Sequence, residues 1–304
     1  QLIPDKRLMF TTGLLTALLF LTACAAGLAR TGEPRLLAIN EQEIHPSNGP
    51  SDILRVASLN LAHGRGDALN QLLVSKQGTV SNLDKIALFL DREAIDVVAL
   101  QEADADSAWS GDFDHTRYLA DASGYRWWVQ GSHARLGIAN YGTAIMSALP
   151  MTAAASHDFS PSPPTARKGF TVAEILWRTP QGEQQVIDVI SLHMDFSRKS
   201  VRAQQLAELS DTMHRRNNPV IIMGDFNSEA LAGMLVARAA DNARHLHTWE
   251  DDAVAQATYK AKRLDWIIVS GELEFVDYRA AADGLSDHRA VIATVRLSRP
   301  KFAK

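Results

Sequence analysis

The side chains able to do chemistry in this chain stand at the ends of short apolar runs. Asn60 closes RVASLN, Gln101 and Glu102 close VVALQE, and Asn140 sits just before YGTAIMS. His193 closes VISLH, Asp225 and Asn227 follow VIIMG, Asp265 lies inside RLDWIIV, and Asp287 with His288 precedes AVIATV. Carboxylates and an amide oxygen suit a hard divalent cation, which binds one or two acids and retains water and phosphate oxygens as further partners. A histidine beside an acid can move or stabilise a proton. Together these residue types point to metal-assisted hydrolysis of a phosphoester, an anion whose charge must be neutralised before water can attack. By type, Glu102 is the best metal ligand, with Asn60 adding a neutral oxygen and Asp287 completing that site or a second one. Each residue also has a plainer reading. A Glu after a strand is usually solvated, a histidine on an apolar run is usually a satisfied core residue, and Asp-Phe-Asn beside Gly224 makes an ordinary turn.

Rigid elements must hold such groups if they are to act together. Runs rich in β-branched residues predict strands at Ile53–Leu61, Ile95–Leu100, Gly124–Gln130, Thr143–Ser147, Phe170–Trp177, Gln185–Leu192, Pro219–Met223, Leu264–Val269 and Ala290–Leu297. Several are apolar on both parities and should be covered on both faces. Helices are predicted from near Ser81, with Leu83, Ile86, Ala87 and Leu90 on one face, over Val201–Arg216, and over Glu229–Ala240. Strands outnumber helices without strict alternation, which predicts two mostly antiparallel sheets packed together with helices outside.

The segments LNLAHG, LQEAD, NYGTAIMS, SLHMDF, IIMGDFNS, RLDWIIVS and GLSDHRAV, in this order and spacing, resemble the endonuclease/exonuclease/phosphatase family over about residues 52–299. The resemblance implies an α/β fold, a four-layer α/β/β/α sandwich of two mixed, mostly antiparallel sheets. It implies Mg²⁺-dependent hydrolysis, with Mn²⁺ as the alternative ion. Carried over residue by residue, it makes Asp225 the group that orients or deprotonates water and Asn227 a donor to the phosphate or a support for the nucleophile. It pairs His288 with Asp265 and makes His193 a donor to phosphate or leaving group. Family members differ on whether the histidine or the aspartate is the base, and both remain open here. Asn140 and Arg167, the latter in ARKGF, are expected at the phosphate. Arg202, Gln204 and Gln205 resemble the family's Arg-x-x-Gln helix.

Bulk composition narrows the substrate. At 46% hydrophobic and 22% charged residues the chain is globular. Its net charge is −4, and residues 1–23 hold Asp5, Lys6 and Arg7, so the remainder stands at −5. No Lys/Arg-rich stripe is visible, which leans away from bulk nucleic-acid binding. A phospholipid or small phosphoester is therefore the first expectation and a secreted endonuclease the second. A non-catalytic binding module on the same scaffold is a third, from another class. A monomer is expected.

Lys6 and Arg7 precede an apolar stretch from Leu8 to Ala23 that ends in Leu-Thr-Ala-Cys. Its length suits a signal-peptide core rather than a membrane span. Small residues before Cys24 resemble a bacterial lipobox, which implies cleavage before Cys24 and lipid on its sulfur and amino group. The alternative is an ordinary leader that happens to end at a cysteine. Cys24 is the sole cysteine, so there is no disulfide framework and no cysteine zinc site. The expected organisation is a leader over 1–23, a lipidated Cys24 with a tether over 24–51, the domain over 52–299 and a tail over 300–304. The expected location is exported and lipid-anchored, at the outer membrane if the source is diderm.

Overall fold

Two strands that are apolar on both parities, β3 (Ile53–Asn60) and β4 (Val97–Asp104), lie side by side in the middle of a sheet. The computed structural model describes residues 34–43, 49–242, 244–250 and 256–298. The leader, Cys24 and the tail over 300–304 lie outside the described residues.

The sheet around β3 and β4 has seven strands. Its order is β13 (Leu273–Ala280), β14 (Val291–Leu297), β3, β4, β6 (Ala139–Ser147), β5 (Trp127–Leu136) and β2 (Asn40–Glu41). The second seven-stranded sheet runs β1 (Arg35–Leu36), β7 (Met151–Asp158), β8 (Gly169–Arg178), β9 (Gln184–His193), β10 (Val220–Asp225), β12 (Asp265–Ser270) and β11 (Leu246–Thr248). Only the β3–β4 and β9–β10 pairs are parallel, so both sheets are mixed and mostly antiparallel, as expected.

Three apolar layers hold the sandwich. Val56, Val97 and Ile145 of one sheet meet Ile175, Ile221 and Ile267 of the other between the sheets. On the outside of the first sheet, α1 (Lys76–Arg92) and α2 (His115–Ser123) press Leu83, Ile86 and Leu119 onto Leu59 and Leu100. On the outside of the second, α3 (Lys199–His214) and α4 (Leu231–Asp241) press Leu209 and Leu235 onto Ile190 and Ile222. The expected four layers are thus present. A buried leucine such as Leu83 contributes about 1.5–3 kcal/mol by burial, and Leu83→Ala should cost about 2–5 kcal/mol.

The structure differs from the sequence reading at three places. α1 begins at Lys76 because Ser75 caps it, accepting from Gly78 N at 3.2 Å, so Ser81 is interior. α2, capped by Asp114 and stopped at left-handed Gly124, is not among the predicted elements, nor are β7, β11 and β13. Residues 35–36 and 40–41, inside the expected tether, pair with β7 and β5 instead. The fold therefore begins before Asp52.

Candidate active site

Register sets the floor of the site. His193 is opposite Asp225 across β9 and β10, and Asp225 is opposite Asp265 across β10 and β12. Gly224 lets these strands close up: a Cβ there would stand 2.0 Å from Leu192 O. Asn60 reaches over from the other sheet, its Nδ2 donating to Asp225 Oδ2 at 3.2 Å. Asn227 holds the same carboxylate, with its backbone N donating to Oδ1 at 2.7 Å and its Nδ2 to Oδ2 at 3.1 Å. Glu102 sits where the β4–β6 register slips between Gln101 and Ala103, and its φ is 48°. A bulge with left-handed backbone costs about 1–3 kcal/mol and is the usual way to re-aim one side chain. Asn60, Glu102, His193, Asp225, Asn227 and His288 line one cavity of about 270 Å³, while Asp265 stands beside Asp225 without lining it.

Neighbours set the charges. Burial pushes Asp225 up, and Asp265 beside it adds to the rise, to about 7. His288 Nδ1 meets Asp265 Oδ2 at 2.8 Å. Burial opposes its charge, but the Asp265 carboxylate wins and raises the imidazole to about 10. His193 goes the other way. Burial and then the Lys168 ammonium, 3.2 Å from Nε2, hold it well below its ordinary value.

Glu102 has its own support. His63 Nε2 is 3.3 Å from Glu102 Oε2, and His63 Nδ1 is 2.7 Å from Asp104 Oδ2. Trp109 Nε1 donates to the other Asp104 oxygen at 2.6 Å. Burial works against Asp104, yet these donors hold its carboxyl below the usual range.

Two donor sets could take a divalent cation. Asp225, Asp265 and His288 bring ligand atoms within 4.8 Å of one another, and Asp265 Oδ1 is buried without a partner. A cation there would have to displace the imidazole proton of His288. Glu102 lines the cavity with 21% of its side chain exposed, as does Asn60, whose amide oxygen accepts one bond from Ala62 N and keeps a second lone pair. These are the hard oxygen donors that Mg²⁺ or Mn²⁺ takes.

Asn60, Glu102, His193, Asp225, Asn227, Asp265 and His288 thus come together as expected. Of the other three, Asp287 is paired within the cavity and two stand outside it. Asp287 lines the cavity, but its Oδ2 is 2.6 Å from Arg65 Nη2, an ion pair that competes with metal ligation. Asn140 lies outside the cavity lining, with its backbone N held by Ser107 Oγ at 2.7 Å. Arg167 is also outside and pairs with Asp158 at 3.6 Å, while its neighbour Lys168 is buried against His193. Arg202 donates to Asp195 O at 3.0 Å and Gln205 Oε1 accepts from Asp195 N at 2.8 Å, so that helix start braces the loop after His193. The sequence reading missed His63, Arg65 and Tyr259, whose ring lies 4.8 Å from that of His288. The signal for His63 and Arg65 was present in LNLAHGRG, directly after Asn60.

Similar proteins agree with this architecture. Residues 57–288 match the model of the endonuclease/exonuclease/phosphatase family. The fold is similar to an endonuclease/exonuclease/phosphatase from Beutenbergia cavernae, at 18% identity and TM-score 0.64, over 83% of this chain and 73% of that one. It is also similar to the human nocturnin catalytic domain, at 14% identity and TM-score 0.57, over 86% and 98% of the two chains. A mannosyl-6-phosphatase from Bacteroides thetaiotaomicron matches at 17% identity and TM-score 0.56, over 81% and 100%. No curated protein sequence matches the chain. The matched span runs from β3 to His288 and so takes in every strand end that feeds the cleft; the chain belongs to the endonuclease/exonuclease/phosphatase family.

Proposed function

We propose that the chain is a divalent-metal-dependent phosphoester hydrolase that works by in-line attack of water. The observation that carries this reading is the Asp225 carboxyl, raised to about 7 and fixed by three amide donors in a cavity shared with Glu102, His193 and His288. A base of that strength can take a proton from water near neutral pH. The water proton passes to Asp225 as the oxygen attacks phosphorus, the ester P–O bond opposite breaks, and the alcohol leaves after taking up a proton from solvent. Cationic His288, anchored by Asp265, stabilises charge that builds on the phosphoryl oxygens. Neutral His193 keeps an N–H for a phosphoryl or leaving-group oxygen. Glu102 and Asn60 would hold Mg²⁺ or Mn²⁺, which when bound supplies charge neutralisation at the phosphoryl group.

A lipid phosphoester is the favoured substrate. Phe196 lines the cavity and is 65% exposed. Leu69, Leu72 and Leu73 are exposed in the segment that follows Arg65, itself a lining residue, and Ile138 is exposed in the β5–β6 turn. Exposed apolar groups beside an anion site suit an amphiphile. The leader reading adds a membrane anchor at Cys24, which would raise the local concentration of lipid. The test is turnover by the full chain in detergent of phospholipid vesicles, plasmid DNA and bis-p-nitrophenyl phosphate, each with Mg²⁺ and with EDTA. Mg²⁺-dependent turnover with vesicles ahead of plasmid is expected. Equal activity in EDTA would refute the metal, plasmid cleavage alone would make the protein an endonuclease, and no turnover would leave a binding module.

A further inference from the structure

With Arg167 and Asn140 outside the cleft and Lys168 behind His193, Arg65 is the one arginine or lysine among the described residues that line the cavity. Its position is built with care. The chain leaves β3 through Ala62, His63 and Gly64, all with positive φ (47°, 57° and 69°), and Gly66 returns there at 59°. A Cβ on Gly64 would stand 2.8 Å from Thr79 Cγ2, and one on Gly66 3.0 Å from Asn82 Nδ2. The turn is therefore seated on α1 on both sides of Arg65. Asn82 Nδ2 fastens it by donating to Gly64 O at 3.1 Å. The guanidinium donates from Nη1 to Ala68 O at 2.8 Å and from Nη2 to Asp287 Oδ2 at 2.6 Å. A guanidinium has more N–H groups than these two bonds use.

We propose that Arg65 anchors the substrate's phosphate in this cleft, and that Asp287 is its counter-ion rather than a metal ligand. The assignment rests on the phosphoester reading above. The unused N–H edge binds non-bridging phosphoryl oxygens in the forked geometry that arginine offers and lysine does not. Asp287 holds the fork in place before substrate arrives, and the glycine-seated turn keeps the long side chain from losing much entropy on binding.

Calorimetric titration of the full chain in detergent with inorganic phosphate tests this. Arg65→Gln should weaken phosphate binding about tenfold or more, and KM for a soluble phosphoester should rise more than kcat falls. Arg65→Lys should recover part of the loss, because charge returns without the fork. Asp287→Asn should leave Mg²⁺ affinity unchanged. Unchanged phosphate affinity in a folded Arg65→Gln or Arg65→Lys protein would overturn the anchor, and Mg²⁺ affinity lost in Asp287→Asn would overturn the counter-ion. Absence of phosphate binding by the unaltered protein would instead overturn the phosphoester reading and the anchor with it.

Discussion

His288 and His193 line the same cavity, yet they sit in opposite charge states. The Asp265 carboxylate, 2.8 Å from Nδ1, carries His288 up to about 10 against its burial. His193 is as deeply placed, but its nearest charge is an ammonium, and the carboxylates of Glu102 and Asp225 lie at 3.8 Å and 3.7 Å, beyond hydrogen-bond reach. Burial alone disfavours both imidazolium ions, so the identity of one neighbour decides the outcome. The difference divides the labour. One side of the cleft presents a fixed positive charge, the other a neutral imidazole next to the carboxylate that suits a cation.

Removing the charged member should do the most damage. His288→Ala is expected to lower kcat by about 10²–10⁴-fold, and Asp265→Asn should follow it because the imidazole loses its partner. His193→Ala should cost less, since it removes a neutral hydrogen bond. Steady-state kinetics on the three variants checks the order, and a larger loss for His193→Ala would reverse the assignment of roles.

The neutral side can be broken more gently through His63. His63 bridges Glu102 and Asp104 without lining the cavity. A partner that orients a metal-holding group is commonly worth about 10–100-fold in metal affinity. His63→Gln should therefore weaken Mg²⁺ binding by that order while leaving phosphate binding in place. Calorimetry with the two ions separates these outcomes, and unchanged Mg²⁺ affinity would remove His63 from the site.

The strands that carry these groups were readable because they are apolar on both parities and end in polar residues. β3, β9, β10 and β14 fall where expected. β7 was hidden because MTAAASHD is rich in alanine, which has little strand preference. In β13 the pairing slips between Phe275 and Asp277, so core-facing Phe275 and Tyr278 break the period of two. α2 has only nine residues, and its buried apolar face is Leu119 with Ala120, too little for a periodic signal. The same limits applied at the site. Arg167 and Lys168 are adjacent, yet Lys168 is buried against His193 while Arg167 pairs with Asp158 outside the cavity, and composition alone does not choose between neighbouring basic residues. His63 lies in a left-handed turn that no period predicts. Asn140 is one residue from Tyr141, whose ring packs on His63 at 4.7 Å, and the pleat sends its side chain elsewhere.

The smallest effect should appear in stability against pH, where the two histidines act with opposite sign. His288 is raised above its ordinary 6.5, so its contribution is complete below pH 6.5 and is lost as pH rises through about 10. His193 is lowered, so the unfolded chain binds the extra proton first. Its contribution is complete above pH 6.5 and is lost as pH falls toward its depressed value. Buried His157, lowered to about 4 mainly by burial, adds to the same acid-side loss. Stability should therefore fall on the alkaline side through His288 and on the acid side through His193 and His157, the acid-side fall being offset by Asp225, whose raised carboxyl contributes stability that is lost as pH rises from 3.8 to about 7, as read by urea unfolding at fixed ionic strength. His288→Asn should flatten the alkaline side and, because the His288 charge also helps to push His193 down, make the acid side slightly shallower. Lys168→Met removes the ammonium that faces His193, so the imidazole rises back toward 6.5 and the acid side becomes shallower. A Lys168→Met protein with an unchanged acid side would mean that burial alone keeps His193 neutral, and the contrast between the two histidines would then rest on Asp265 only.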